Sequence, residues 1–165
     1  MNWDIFTRLL LIRVQLFILL HFCSARGGAM LNAMDFETFL ERVEALWEQI
    51  PEVFKRELQG VHVAEEAKEE PGLLGQDVWR LGEYLDPGPP SVFAGFEGLG
   101  RHIVLYYGSF QKVAEGDPAF DWEAEIWETL LHELQHHVES LAGRDDLVQQ
   151  DLAQLRALRQ KGAGR

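Results

Sequence analysis

The chain has 165 residues, 47% of them apolar and 25% charged, with a formal net charge of −12. That is enough for one domain around one core, in an ordinary globular composition. Residues 1–29 carry Arg8, Arg13 and Arg26 against Asp4, a net +2, so residues 30–165 carry −14, which argues against a nucleic-acid partner because phosphate binding needs a basic footprint.

The one cysteine, Cys23, excludes an internal disulfide and a zinc–thiolate cluster. It lies in a hydrophobic leader, a poor setting for a thiol nucleophile. No GxxxxGK[ST] or GxGxxG phosphate loop occurs. Leu9–Leu20 is an apolar run interrupted by Arg13 and Gln15, shorter than the roughly 20 residues of a membrane-crossing helix. Three readings of it stay open: translated upstream sequence with the true start at Met30 or Met34, a signal peptide or anchor, or a genuine extra helix. The expected organisation is a leader over 1–33, one domain over 34–158 and a basic tail over 159–165. The first reading places the protein in the cytoplasm; the second exports it.

Asp35, a good N-cap, opens a helix to about Ile50. Phe36, Phe39, Leu40, Val43, Leu46, Trp47 and Ile50 follow the i, i+3, i+4, i+7 rule, so one face is buried. Pro51 breaks this helix and begins a short one through Val53, Phe54 and Leu58, which Gly60 ends. Val61–Ala64 reads as a strand with His62 facing away from the core, and Glu65–Glu70 as a solvated charge run. Leu73–Gly75 and Trp79–Leu85 are candidate strands, and 86–90 is a proline-rich loop. Phe93–Gly100 reads as a hairpin or loop. Ile103–Tyr107 is the strongest strand signal in the chain, and Gly108–Glu115 a linker or short helix.

The next helix should run from about Asp121, an N-cap, to about Ala142, with Gly143 as its stop. It carries His132-Glu133-Leu134-Gln135-His136, an HExxH motif. Residues four apart lie one turn apart on one face, so both imidazoles can reach one metal ion, with Glu133 beside them to act on a bound water. On a wheel of about 100° per residue, His136, Glu139, Glu128, Glu125 and Thr129 fall within roughly 60° of His132. Trp127, Leu130, Leu131, Leu134, Val138 and Leu141 fall on the opposite arc, which should pack on the core. His137 points about 140° away from His132, a poor direction for a ligand. Without a metal, the same pattern is an amphipathic helix with a solvated acidic face. A catalytic zinc takes three protein ligands, and the candidates for the third are Asp145, Asp146, Asp151 and, within the helix, Glu139. Asp145 or Asp146 can cap a last helix through Val148, Leu152, Leu155 and Leu158.

Over roughly residues 34–150 the chain resembles the bacterial minimal-zincin family of zinc metallopeptidases, whose members carry HExxHHxGxxD. The resemblance rests on the opening helix, the break at Ile50-Pro51, the strand at Val61, the strand Ile103-Val-Leu-Tyr-Tyr and the pair His136-His137. Here Gly143 comes seven residues after His136 where the family has three, an apparent extension of about one helical turn. Gly143-Arg144-Asp145-Asp146 keeps the Gly-x-x-Asp spacing, so the resemblance implies Asp146 as third ligand with His132 and His136. It also implies an α+β minimal-zincin fold, a small mixed sheet packed with the HExxH helix and the N-terminal amphipathic helix.

The expected activity is zinc-dependent hydrolysis of a peptide or protein substrate, with Glu133 as general base on the metal-activated water. An edge strand near Trp79–Leu85 would hold the substrate extended. Tyr106 or Tyr107 either donates to the oxyanion or packs in the core. The alternatives are a non-catalytic metal-binding or interaction domain and a non-haem iron site. The oligomeric state is not legible.

Overall fold

The computed structural model describes residues 33–70, 73, 78–86 and 100–163, with side chains to residue 160. The leader, Leu74-Gly75 and Phe93–Leu99 lie outside the described residues. Helix α1 spans Phe36–Gln49, and Asp35 caps it by accepting from Thr38 N–H at 2.7 Å. A 3-10 turn at Glu52–Phe54 follows Pro51. Strand β1 (Leu58–Ala64), strand β2 (Gly82–Leu85) and strand β3 (Arg101–Tyr106) form a sheet in the order β1-β3-β2. β1 runs parallel to β3 and β2 antiparallel to it, so the small sheet is mixed as expected. Helix α2 (Tyr107–Gly116) follows β3 directly; helix α3 (Trp122–Leu141) carries the motif; helix α4 (Asp146–Ala163) follows it. Among the described residues, no helix is long and apolar enough to cross a membrane.

The core lies between the sheet and helices α1 and α3. Phe39, Phe110, Ile103, Leu105, Ile126 and Leu130 are fully buried at its centre, each contributing about 1.5–3 kcal/mol by leaving water. Phe39 meets Phe110 edge-on at 5.0 Å and Trp122 at 6.2 Å, so one aromatic side chain joins α1, α2 and the start of α3.

Several expectations are corrected. Gly60 does not end a helical turn. It sits inside β1 at φ +146°, where the register with β3 shifts between Leu58 and Val61; a bulge there wants a residue without a Cβ. The charge run is not simply solvated. Glu70 is buried under the Arg80 guanidinium, which grips both its oxygens at 2.9 and 3.0 Å. Lys68 bonds Glu83 and the Tyr106 hydroxyl, so these charges clamp the segment after β1 onto β2 and β3. Trp79 makes an isolated bridge to Glu69, and only Gly82–Leu85 is regular strand.

Helix α3 begins and ends where its caps place it. Asp121 accepts from Ala124 N–H at 3.2 Å, and Gly143 follows the C-cap Ala142 at φ +66°. Its buried face differs from the wheel reading. Thr129, Glu133 and His137 are buried with Ile126, Leu130 and Leu134, while Leu141 is 41% exposed. The buried stripe turns because β2 lies against Thr129 and Glu133. A Cβ at Gly82 would stand 2.6 Å from Thr129 Cγ2 and 3.0 Å from Glu133 Cγ, so only glycine lets strand and helix approach this closely.

Candidate metal centre

His132 and His136, one turn apart on α3, turn their Nε2 atoms to the same point, 3.2 Å apart. Asp151 on α4 meets them there, with Oδ2 3.3 Å from His132 Nε2 and 3.0 Å from His136 Nε2. Among the described residues these three are the only group of His, Cys, Asp and Glu side chains converging tightly enough to hold a metal ion. A tetrahedral ion with bonds of about 2.0–2.2 Å sets donor–donor edges of about 3.3–3.5 Å. The observed triangle is slightly smaller, and its two imidazoles and one carboxylate are a donor set that zinc accepts. The residues present therefore fit a zinc ion.

The electrostatics agree with this convergence. Burial works to raise the Asp151 pKa, but hydrogen bonds and attraction from His132 and His136 outweigh it and hold the carboxyl at about 2, so it is ionised at neutral pH. Burial lowers the His132 pKa, and Asp151 with the nearby Glu133 and Glu139 more than reverses that, leaving it raised. Removing this proton in favour of a cation makes metal affinity fall as pH drops.

Asp146 does not reach the centre. It sits on the surface in an ion pair with Arg144, both side chains more than 60% exposed. The physical reason is helix phase: Asp146 is the first residue of α4 and faces outward, whereas Asp151 lies on the stripe Leu147-Asp151-Leu155 that faces α3. That stripe, a lone carboxylate at i+4 between two leucines, was the signal in the sequence for Asp151. The other two candidates are also committed elsewhere. Asp145 accepts from the Gln149 side chain at 3.0 Å. Glu139 accepts from Gln135 Nε2 at 2.9 Å and from Leu147 N–H at 2.8 Å.

Glu133 stands next to His132 but is buried at 7% exposure. Burial raises its pKa, and His132, His136 and the Tyr84 N–H oppose the rise. The Tyr84 bond is 2.8 Å, to Oε2. It follows from the strand register. Tyr106 N–H donates to Leu81 O, and in an antiparallel ladder the alternate residues Gly82 and Tyr84 then turn their peptides away from β3. The open edge of β2 thus offers an N–H where Glu133 arrives. No residue pattern announced this partner, because it is a main-chain group.

His137, the second histidine of the pair, is fully buried and not among the converging donors. Its Nε2 lies 2.8 Å from the Arg56 carbonyl and its Nδ1 3.2 Å from the Tyr84 hydroxyl. Burial depresses its pKa, which favours the neutral ring, with Nε2–H donating to Arg56 and Nδ1 accepting from Tyr84. Tyr84 thus touches α3 twice, by main chain at Glu133 and by side chain at His137. The two tyrosines considered for the oxyanion have other partners: Tyr106 OH donates to Glu83 at 2.9 Å, and Tyr107 OH to the Met34 carbonyl at 2.7 Å.

The sequence model of the zincin-like metallopeptidase family matches residues 58–158, the span from β1 into α4. A solved structure described as a conserved hypothetical protein from Thermo thermophilus is 72% identical, covering 67% of this chain and 100% of its own, with a TM-score of 0.59. No curated protein matches significantly.

Proposed function

The chain belongs to the zincin-like metallopeptidase family, and from that premise we propose that it hydrolyses peptide bonds at a zinc ion held by His132, His136 and Asp151. The observation that carries the reading is the triangle of donor atoms with edges of 3.0, 3.2 and 3.3 Å beside the buried carboxyl of Glu133. Zinc in such a site lowers the pKa of a water molecule and polarises a carbonyl. Glu133 is the general base: it takes the water proton and returns it to the leaving amine. The Tyr84 N–H holds Oε2, which leaves Oε1 for that proton and fixes the carboxyl orientation without a flexible side chain. Burial keeps water away from the carboxyl and raises its basicity. β2 has β3 on one side, and an extended peptide or protein substrate pairs with the outer-edge groups of β2 other than the Tyr84 N–H, which Glu133 already holds.

The test is paired. The full chain, purified without chelator, should contain one zinc per chain by elemental analysis. Glu133→Gln should keep the zinc and lose cleavage of an unstructured peptide mixture read by mass spectrometry. Equal cleavage by both proteins would refute the general-base role, and absence of zinc after zinc is added back would refute the metal site.

A further inference from the structure

We infer that Glu139 is a positioning residue for the metal centre, acting from α3 on the N-terminus of α4 to set where Asp151 stands. The inference rests on the zinc reading above. α4 runs back along α3 after a short connection: Leu147 meets Glu139, and Asp151 meets His136 and His132. The first N–H groups of any helix lack partners within it. At α4 neither local carboxylate side chain takes that of Leu147. The Asp146 side chain turns out to Arg144, and Asp145 takes the Gln149 amide. Glu139 Oε2 accepts the Leu147 N–H instead, at 2.8 Å, from another helix. A carboxylate at that end also meets the positive pole of the helix.

Leu147 and Asp151 are four residues apart, one turn, and lie within about 40° on the wheel. The Leu147 side chain is 2% exposed. Fixing the Leu147 peptide therefore fixes the height and rotation of the Asp151 carboxylate one turn later. Glu139 is itself held: Gln135 Nε2 donates to its Oε1 at 2.9 Å, and its own carbonyl accepts Arg144 N–H at 2.8 Å. Both carboxylate oxygens are engaged, so Glu139 supports the centre without reaching it. α3 thus contacts α4 in two successive steps, Glu139 at Leu147 and the imidazoles at Asp151.

The experiment measures zinc affinity of the full chain by competition with a chromophoric chelator, with amide exchange at Leu147 beside it. Glu139→Ala should weaken zinc binding about 10–100-fold, the usual loss when a ligand loses its orienting partner, and should speed exchange at Leu147. Glu139→Gln keeps an acceptor for that N–H and should stay within about fivefold of wild type. Wild-type affinity in Glu139→Ala would overturn the inference. So would both variants losing zinc as fully as Asp151→Ala, which would make Glu139 a ligand. If His132→Ala and Asp151→Ala bind zinc as tightly as wild type, the metal reading itself falls and takes the inference with it.

Discussion

Adding one methyl group at Gly82 should uncouple the edge strand from the motif helix. The new Cβ would stand 2.6 Å from Thr129 Cγ2, 3.0 Å from Glu133 Cγ and 3.2 Å from Glu133 Oε1. Thr129 is 7% exposed and its side chain is short, so it cannot swing clear; strand and helix must part by several tenths of an ångström. Overpacking of this kind costs about 1–3 kcal/mol, and about 2 kcal/mol is expected here. For a domain of this size that lowers Tm by about 6–8 °C. The same displacement stretches the Tyr84 N–H bond to Glu133, now 2.8 Å. Peptide cleavage by Gly82→Ala should therefore fall while its zinc content stays at wild type, because His132, His136 and Asp151 are held to one another between α3 and α4. Thr129→Ala removes the nearest clashing atom. In a double-mutant cycle on urea unfolding, Gly82→Ala should cost less in the Thr129→Ala background, with a coupling of about 1 kcal/mol. Strict additivity of the two changes would refute the argument that close approach at Thr129 is why position 82 is glycine.

Asp151→Ala should weaken zinc binding at least about 100-fold, whereas Asp146→Ala, which breaks only an exposed ion pair, should bind zinc as wild type and cost under about 1 kcal/mol; chelator competition on both variants decides which aspartate serves the centre. His137→Phe keeps the ring but leaves the Arg56 carbonyl without the imidazole and the Tyr84 hydroxyl with Asp86, so it should lose about 2 kcal/mol in urea unfolding. Its zinc stoichiometry should not change; a folded His137→Phe protein without zinc would make His137 a ligand. Glu125 is a half-buried carboxyl with an orphaned oxygen, and burial followed by repulsion from Glu128, Asp117 and Asp121 pushes its pKa up to about 7. The folded state thus favours the protonated form. Stability is whole below pH 4.5 and falls as pH rises towards 7. The full shift is worth at most about 3 kcal/mol, and solvent screening at this site reduces it to about 1 kcal/mol. Glu125→Gln should gain that amount at about pH 8 and nothing at about pH 4; an equal gain at both would rule out titration as the cause.

Where local chemistry decides structure, the sequence was legible. Asp35 and Asp121 open α1 and α3, and the α3 stop at Gly143 follows from one residue type at one position. Spacing alone paired His132 with His136. What sequence missed depends on neighbours that are distant in the chain. The wheel placed His137 near the apolar arc, but it could not tell that β2 would cover Glu133 and His137, since Tyr84 lies 49 residues before one and 53 before the other. The 65–70 charges looked solvated because Arg80, which buries Glu70, follows ten residues later. Asp146 was favoured by motif spacing, yet which aspartate of a second helix meets the two histidines is set by helix phase. The leucines around Asp151 carried that phase. The expected last helix through Val148, Leu152, Leu155 and Leu158 forms, with Val148 and Leu152 on its exposed side at about 40% exposure.

The two halves of the site differ in the lengths of chain that separate their parts, and the consequence is kinetic. His132 and Asp151 are 19 residues apart, joined by a helical hairpin, whereas Glu133 waits for a peptide group 49 residues upstream. Short, local closures form sooner than distant pairings between strand and helix. A nascent or refolding chain should then assemble its metal-binding donors first and orient its base last. On the proposed function, a chain that has already captured zinc stays inert until the sheet docks against Glu133, so hydrolysis waits for the complete fold.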